Sequence, residues 1–266
     1  MNEQEITGFA GRLLGAYSTR DPIPPLIHDH PGADVADAYA IQHAQVEHRL
    51  AEGRTIAGFK VGLTSRAMQR QLGVDSPDFG HLFDDMVLDG SAPVPLDRFI
   101  APRIEPEISF VLGRDLEGPG LTMADLLGAI DYAIASVEII DSRIADWRIG
   151  LVDTIADNAS SGALALGSRP VRVDAVDLAM VGNVLLRNGQ VVTTGAGAAV
   201  LGDPLRAALF LANTLGGFGR TLPAGSIVMS GALSASVPIG AGDTFTARFS
   251  SLGELTLTFG GAGGDR

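Results

Sequence analysis

The chain has 266 residues, 46% hydrophobic and 19% charged, which is enough apolar weight for a sizeable core in one large domain or two small ones. A net charge of −12 argues against a nucleic-acid partner, whose phosphates need a basic surface, and the lack of cysteine excludes disulfides, thiolate nucleophiles and cysteine zinc sites. No apolar run reaches the length of a membrane span and Met1-Asn2-Glu3-Gln4-Glu5 does not begin a signal sequence, so the expectation is a cytoplasmic protein with no membrane partner.

Ile6, Phe9, Leu13, Leu14 and Tyr17 recur at helical spacing and predict an amphipathic helix over 2–17. The Asp21-Pro-Ile-Pro-Pro segment ends it. His28-Asp29-His30 follows in a Pro-rich loop; such a pair can bind metal, but no further ligand lies near it in sequence. Asp34 suits the N-cap of a second helix over 35–51, which Gly53 closes. Residues 55–62 read as a short strand, and Ser65 can cap a brief helix over 66–72 that stops at Gly73. The segment 76–83 is turn-rich, and 86–88 and 93–95 are short strands. A helix over 122–134 leads into an apolar strand over 133–141. Residues 153–162 are polar and loop-like between apolar segments. Strands over 160–166 and 180–187 follow, and Asn188-Gly189 marks a hairpin with Val191 and Val192 returning. Asp203-Pro204 opens a helix to Leu215, and the tail holds strands at 227–230, 244–249 and 254–259.

Helices come first, then many short strands with few helices between them. That order is α+β, with an N-terminal helical segment over 1–54 and a strand-rich domain over 55–266 forming one compact unit. No glycine-rich phosphate loop follows a strand and opens a helix, so nucleotide binding is not expected.

The chemistry gathers at Arg103-Ile-Glu-Pro-Glu-Ile-Ser-Phe-Val-Leu112. Ile104, Ile108, Phe110 and Leu112 share one parity, with Pro106 among them; Arg103, Glu105, Glu107 and Ser109 share the other. A strand therefore buries one face and presents two carboxylates side by side on the other. Like charges at that spacing repel unless solvated or bridged by a hard cation. The plain alternative is a solvated outer face, and Pro106 suits an edge strand or a bulge. Glu138 lies inside the apolar run Ala133-Ile-Ala-Ser-Val-Glu-Ile-Ile-Asp141, where an ionised carboxylate needs a partner. That partner is either an arginine such as Arg143 or Arg148, or a metal shared with Glu105 and Glu107.

Gly58-Phe-Lys-Val-Gly-Leu-Thr-Ser65, Met68-Gln69, Leu72-Gly-Val74, Pro77-Asp-Phe-Gly80, Glu105-Pro-Glu107, Glu138, Asp157-Asn-Ala-Ser160 and Gly197-Ala-Ala-Val-Leu-Gly202 stand in one order. This arrangement resembles the 2-oxopent-4-enoate (2-hydroxypenta-2,4-dienoate) hydratase and 4-oxalocrotonate decarboxylase family, in the fumarylacetoacetate hydrolase superfamily. The resemblance implies a mixed β-sheet roll with N-terminal helices, and Mg²⁺ or Mn²⁺ held by Glu105, Glu107 and Glu138. It implies a small 2-oxo or 2-hydroxydienoic acid substrate of aromatic catabolism. It also implies a homo-oligomer, pentamer or decamer, and association with a downstream aldolase or a sister decarboxylase or hydratase. Lys60 and Asp78 match acid–base positions and Ser160 a polar active-site position.

Hydration to 4-hydroxy-2-oxopentanoate is the leading expectation. Decarboxylation of 2-oxohex-3-enedioate and acylpyruvate C–C hydrolysis are the alternatives. Lys60 lies between apolar Phe59 and Val61, so burial and a nearby cation are expected to lower its pKa. Its plain reading is a lysine reaching solvent, and that of Asp78 is a turn former. His81 is a further titratable group near Asp78. A dicarboxylate substrate would need a distal cation, for which Arg66, Arg70 and Arg143 are the candidates.

Overall fold

The computed structural model describes residues 1–66, 69–70 and 74–260. Helix α1 (Glu3–Thr19) begins in a capping box in which Asn2 and Glu5 satisfy each other's backbone. A short helix α2 (Leu26–Asp29) follows, so His28 and Asp29 are helical rather than in the expected loop. Helix α3 (Val35–Ala51) opens in a second capping box, made by Asp34 and Asp37. These helices bury Phe9, Leu13, Leu26 and Ile41 against Ile144, Ile155 and Ala156 of the later chain.

The remaining elements are β1 (Ile56–Gly62), β2 (Asp78–Phe83), β3 (Val87–Leu88), β4 (Val94–Pro95), β5 (Arg103–Leu112), α4 (Met123–Ala129), β6 (Ile130–Ile140), α5 (Leu151–Ala156), β7 (Ser161–Leu166), β8 (Gly182–Arg187), β9 (Gln190–Ala196), α6 (Pro204–Gly217), β10 (Ile227–Ala232), β11 (Val237–Pro238), β12 (Thr244–Phe249) and β13 (Gly253–Gly260). Two mixed sheets result among the described residues. The larger has eight strands in the order β2-β1-β10-β5-β6-β7-β3, with β11 also pairing β5. The smaller has five, β4-β13-β12-β8-β9. Phe110, Ile108, Val137 and Val228 of the larger sheet share one core with Phe245 and Leu257 of the smaller and with Ala208, Leu211 and Leu215 of α6. Helix α6 starts as expected, with Asp203 capping Leu205 and Pro204 in the first turn.

Four expectations need correction. Residues 78–83, expected to turn, form the buried strand β2, because β1 offers a full antiparallel ladder from Ile56–Phe83 to Gly62–Asp78. Gly80 suggested a turn, but it is small for another reason: a Cβ there would lie 2.4 Å from the Asn158 carbonyl. The helix expected over 122–134 stops at Ala129, because the chain from Ile130 onward pairs along β5. The polar segment expected as a loop over 153–162 begins inside helix α5, which runs to Ala156. Asp153 makes this possible: its carboxylate accepts Gly150 N at 2.9 Å and Leu26 N at 2.7 Å, so a buried acid caps two helices. Pro106 lies in a central strand, not at an edge, and pairs in register with Val137; the bulge is on the neighbouring strand instead. The β10 register slips between Met229 and Ala232 opposite residues 107–109 of β5, where Gly231 takes φ of +106°. Of the helix expected over 66–72, residues 67, 68, 71 and 72 lie outside the described residues, as does its expected stop at Gly73.

Candidate metal centre and active site

Strand pairing assembles the three glutamates. Glu105 stands directly across from Glu138 in the β5–β6 ladder, and Glu107 stands one pleat further along the same face. Ligand oxygens of Glu105, Glu107 and Glu138 all lie within 4.8 Å of one another, and they form the one such group of three among the described residues. Glu107 and Glu138 are buried, at 1% and 0% exposure. Burial, followed by the charge of Glu138, pushes the Glu105 carboxyl up to about 7 and holds Glu107 well above the ordinary range. Burial also raises Glu138, against the pull of Lys60.

The ladder of β1 against β2 brings the expected acid–base residues to the same place. Asp78 pairs with Gly62, and a Cβ on Gly62 would lie 2.2 Å from Asp78 Oδ1 and 3.5 Å from Lys60 Nζ. The bare glycine thus leaves room for both the carboxylate and the ammonium. Lys60 is 5% exposed; its Nζ donates to the Ala159 carbonyl at 2.9 Å and lies 3.3 Å from Glu138 Oε2. The latter is an ion pair whose geometry falls short of a hydrogen bond, so neither Glu138 oxygen has a hydrogen-bond partner. Asp78 is 1% exposed and likewise makes no hydrogen bond of ordinary geometry, and burial raises its pKa against the pull of Lys60. Ser160, also buried and without a hydrogen-bond partner at Oγ, follows the carbonyl that holds Lys60.

The carboxylates around Lys60 reverse the expected direction of its shift. Burial does pull the pKa down, but Glu138, Asp78, Glu105 and Glu107 together outweigh it and raise it above the ordinary lysine value. The neighbours of Lys60 along β1 are apolar, but the fold gathers four carboxylates around the ammonium from other strands. The partner of Glu138 is also Lys60, not an arginine. Arg148 pairs with Asp146 at the surface, at 3.6 Å, and Arg143 is buried against Asp157 at 2.6 Å. Arg143 is therefore unavailable as a distal anchor, while Arg66 and Arg70 are exposed.

His81 does not join the site. Its side chain alternates to the face opposite Asp78 and packs against Phe59 and Phe79 at ring separations of 5.0 and 5.9 Å. Gln42 fixes its tautomer: Gln42 Nε2 donates to the carbonyls of Phe79 (3.0 Å) and Ile155 (2.9 Å), so Gln42 Oε1 must accept from His81 Nδ1 at 3.1 Å. Burial, then Arg220, lowers its pKa to about 3, so the ring is neutral. His28 and His30 are equally remote. His30 packs edge-on to Phe9 and Asp29 pairs with Arg12 at 2.7 Å.

Sequence reasoning missed Gly231. Its backbone N donates to Glu107 Oε2 at 2.8 Å, and its positive φ makes room for Thr64, whose Oγ1 would lie 2.2 Å from a Cβ. The bulge next to Pro106 was the available clue.

Residues 57–259 match the fumarylacetoacetate (FAA) hydrolase C-terminal family. The chain belongs to that family. It is similar to the 2-keto-4-pentenoate hydratase of Paraburkholderia xenovorans (strain LB400), at 46% identity over 97% of this chain and 96% of that one. It is similar to the 2-oxo-hept-4-ene-1,7-dioate hydratase of Escherichia coli, at 39% identity over 95% and 97% of the two chains. Its fold superposes on the 4-oxalocrotonate decarboxylase from Pseudomonas putida G7, complexed with magnesium and adipate, with a TM-score of 0.94 and 38% identity over 97% and 98% of the chains. The family assignment accounts for the α+β architecture of mixed sheets with N-terminal helices.

Proposed function

We propose that the chain is a hydro-lyase that hydrates 2-hydroxypenta-2,4-dienoate, the enol of 2-oxopent-4-enoate, to 4-hydroxy-2-oxopentanoate. One observation carries the reading: a buried ammonium, Lys60, lies 3.3 Å from a ligand-type oxygen of the three-carboxylate cluster, with the buried carboxylate of Asp78 beside the same bare glycine, Gly62. The identity to pentenoate hydratases along nearly the whole chain supports the choice of reaction.

The cluster fits a hard divalent cation. All three donors are carboxylates, burial raises all three pKa values, the charge of Glu138 adds to the rise at Glu105 and Glu107, and both Glu138 oxygens lack hydrogen bonds of ordinary geometry. Glu105, Glu107 and Glu138 are proposed to hold Mg²⁺ or Mn²⁺. When bound, such a cation supplies Lewis-acid stabilisation of negative charge developing on the C2 oxygen of the substrate.

The chain's own residues then handle protons. Lys60 Nζ, oriented by the Ala159 carbonyl, gives a proton to C5 and takes back the proton that the C2 hydroxyl loses, which leaves a 2-oxo-3-enoate and the lysine charged as before. Asp78 accepts a proton from water as the water oxygen adds at C4, and that proton passes to C3. One water is consumed and no other group leaves. Ser160 Oγ is proposed to hold substrate or water.

Decarboxylation of 2-oxohex-3-enedioate is the second reading, favoured by the similarity to the decarboxylase structure. It needs an anchor for a distal carboxylate, and the commitment of Arg143 to Asp157 counts against it. Acylpyruvate hydrolysis is disfavoured, since His81 lies away from the carboxylates. The chain is further proposed to act in the cytoplasm as a homo-oligomer. The exposed Val191 and Val192 on edge strand β9 support association, and no helix among the described residues is long and apolar enough to cross a membrane. The deciding experiment offers pure protein and Mg²⁺ both substrates separately, following dienoate absorbance and CO₂ release. Loss of dienoate without CO₂ from the diacid is expected; faster CO₂ release selects the second reading.

A further inference from the structure

The turn joining α5 to β7 has a backbone that its own sequence does not favour. Asn158, Ala159 and Ser160 are consecutive non-glycine residues in the left-handed region, with φ of 52°, 51° and 55°. L-residues hold such a conformation only where their surroundings over-determine it. Three side chains do so here. Arg143, 1% exposed, donates through Nε to Asp157 Oδ1 at 2.6 Å, through Nη2 to the Asp157 carbonyl at 2.8 Å and through Nη1 to the Ser161 carbonyl at 3.0 Å. Asp157 Oδ2 accepts in return from Arg143 N at 3.0 Å and Ser142 Oγ at 3.3 Å. One planar guanidinium, lying over the Tyr17 ring at 4.3 Å, therefore grips the turn at both ends. Asn158 holds its middle: Oδ1 accepts from His81 N and Nδ2 donates to the His81 carbonyl, both at 2.8 Å, on edge strand β2. The product of these clamps is the Ala159 carbonyl aimed at Lys60 Nζ, 2.9 Å away.

We propose that Arg143, Asp157 and Asn158 are positioning residues for Lys60. They hold the Ala159 carbonyl so that one N–H of the ammonium is committed to it and a second faces Glu138, which leaves the third for the substrate. The kinetic consequence rests on the hydratase reading above; the geometric one does not.

Two variants test this. Arg143→Lys keeps a cation opposite Asp157, but a single ammonium cannot span acceptors at both ends of the turn. Asn158→Ala leaves the ion pair intact and serves if the first variant does not fold. Metal affinity by calorimetry should stay within about threefold, since the ligands sit on β5 and β6. The kcat should fall about tenfold to a hundredfold, the scale on which small misplacements act, with KM within about threefold. In a Lys60→Met background the same changes should add less than about threefold, because the group they position is gone. Crystal structures should show the Ala159 carbonyl moved out of hydrogen-bond reach of Lys60 Nζ. A full additional loss in the Lys60→Met background would overturn the proposal, and so would wild-type kcat despite a displaced carbonyl. If wild type fails to hydrate the dienoate while the carbonyl moves in both variants, the hydratase reading falls and the positioning stands. A carbonyl that stays in place in both variants overturns the positioning whatever the activity.

Discussion

Glu105→Gln probes the carboxylate cluster without any substrate. In the metal-free protein, burial and then Glu138 raise the Glu105 carboxyl from 4.5 to about 7. An acid with a higher pKa folded than unfolded keeps a proton that the unfolded chain has already lost. Between pH 4.5 and about 7 the native state therefore binds more protons, and stability falls as pH rises through that window. At about 1.4 kcal/mol per pH unit, the loss from Glu105 reaches on the order of 3 kcal/mol above pH 7. Glutamine keeps the shape and removes the ionisation. In EDTA at pH 8 the variant should be more stable than wild type by roughly 1–3 kcal/mol, with the gap closing toward pH 4.5. Saturating Mg²⁺ should reverse the order, since a ligand at about a hundred times its Kd adds about 2.7 kcal/mol to the protein that binds it. Urea unfolding at several pH values, with and without chelator, reads both effects. A variant less stable than wild type at pH 8 in EDTA, or with an unchanged pH slope, would refute the mutual repulsion on which the metal assignment rests.

Lys60→Met keeps most of the stem's packing and removes the proton and the charge. Turnover should fall by about 10²- to 10⁴-fold while metal affinity holds or rises, because Glu138 loses its competing cation; turnover within about threefold of wild type would show that Lys60 moves no proton. His81 contributes a pH dependence of opposite sign to Glu105. It stays neutral when folded, with a pKa near 3, whereas the unfolded side chain takes a proton below about 6.5. Stability from this group is thus complete above pH 6.5 and is lost as pH falls. His81→Asn should flatten the urea midpoint between pH 4.5 and 6.5, and an unchanged acid slope would count against a buried neutral ring. Gly231→Ala places a Cβ 2.2 Å from Thr64 Oγ1 at a φ of +106°, so it should weaken metal binding by displacing the amide that Glu107 accepts from. Calorimetry showing wild-type affinity would separate Gly231 from the centre.

The parts of the site legible in the sequence are those set by local periodicity. Glu105 and Glu107 share a parity, so any strand there presents both on one face. Glu138 is out of place in an apolar run, so it had to find a partner. The capping residues Asp34 and Asp203 announced their helices in the same local way. What stayed hidden depends on contacts distant in sequence. Asp153 looked like a loop residue because its acceptor role is satisfied by Leu26 N, 127 residues away. The segment 78–83 looked like a turn because its glycine answers to Asn158 and not to its own backbone. Lys60 seemed destined for a lowered pKa because its neighbours along β1 are apolar, while the carboxylates that decide the matter arrive from β2, β5 and β6. Arg143 could be weighed as a partner for Glu138 or as a substrate anchor, but only the fold shows it gripping the turn behind Lys60.

The most direct test of the account is a proton NMR assay of product formed from 2-hydroxypenta-2,4-dienoate in D₂O, before and after exhaustive chelation. The account predicts 4-hydroxy-2-oxopentanoate carrying deuterium at C5 and C3, formed with Mg²⁺ or Mn²⁺, abolished by chelation and restored by adding either ion back. Full formation of that product in chelated protein of verified metal content, or no hydration with either ion present, would contradict it.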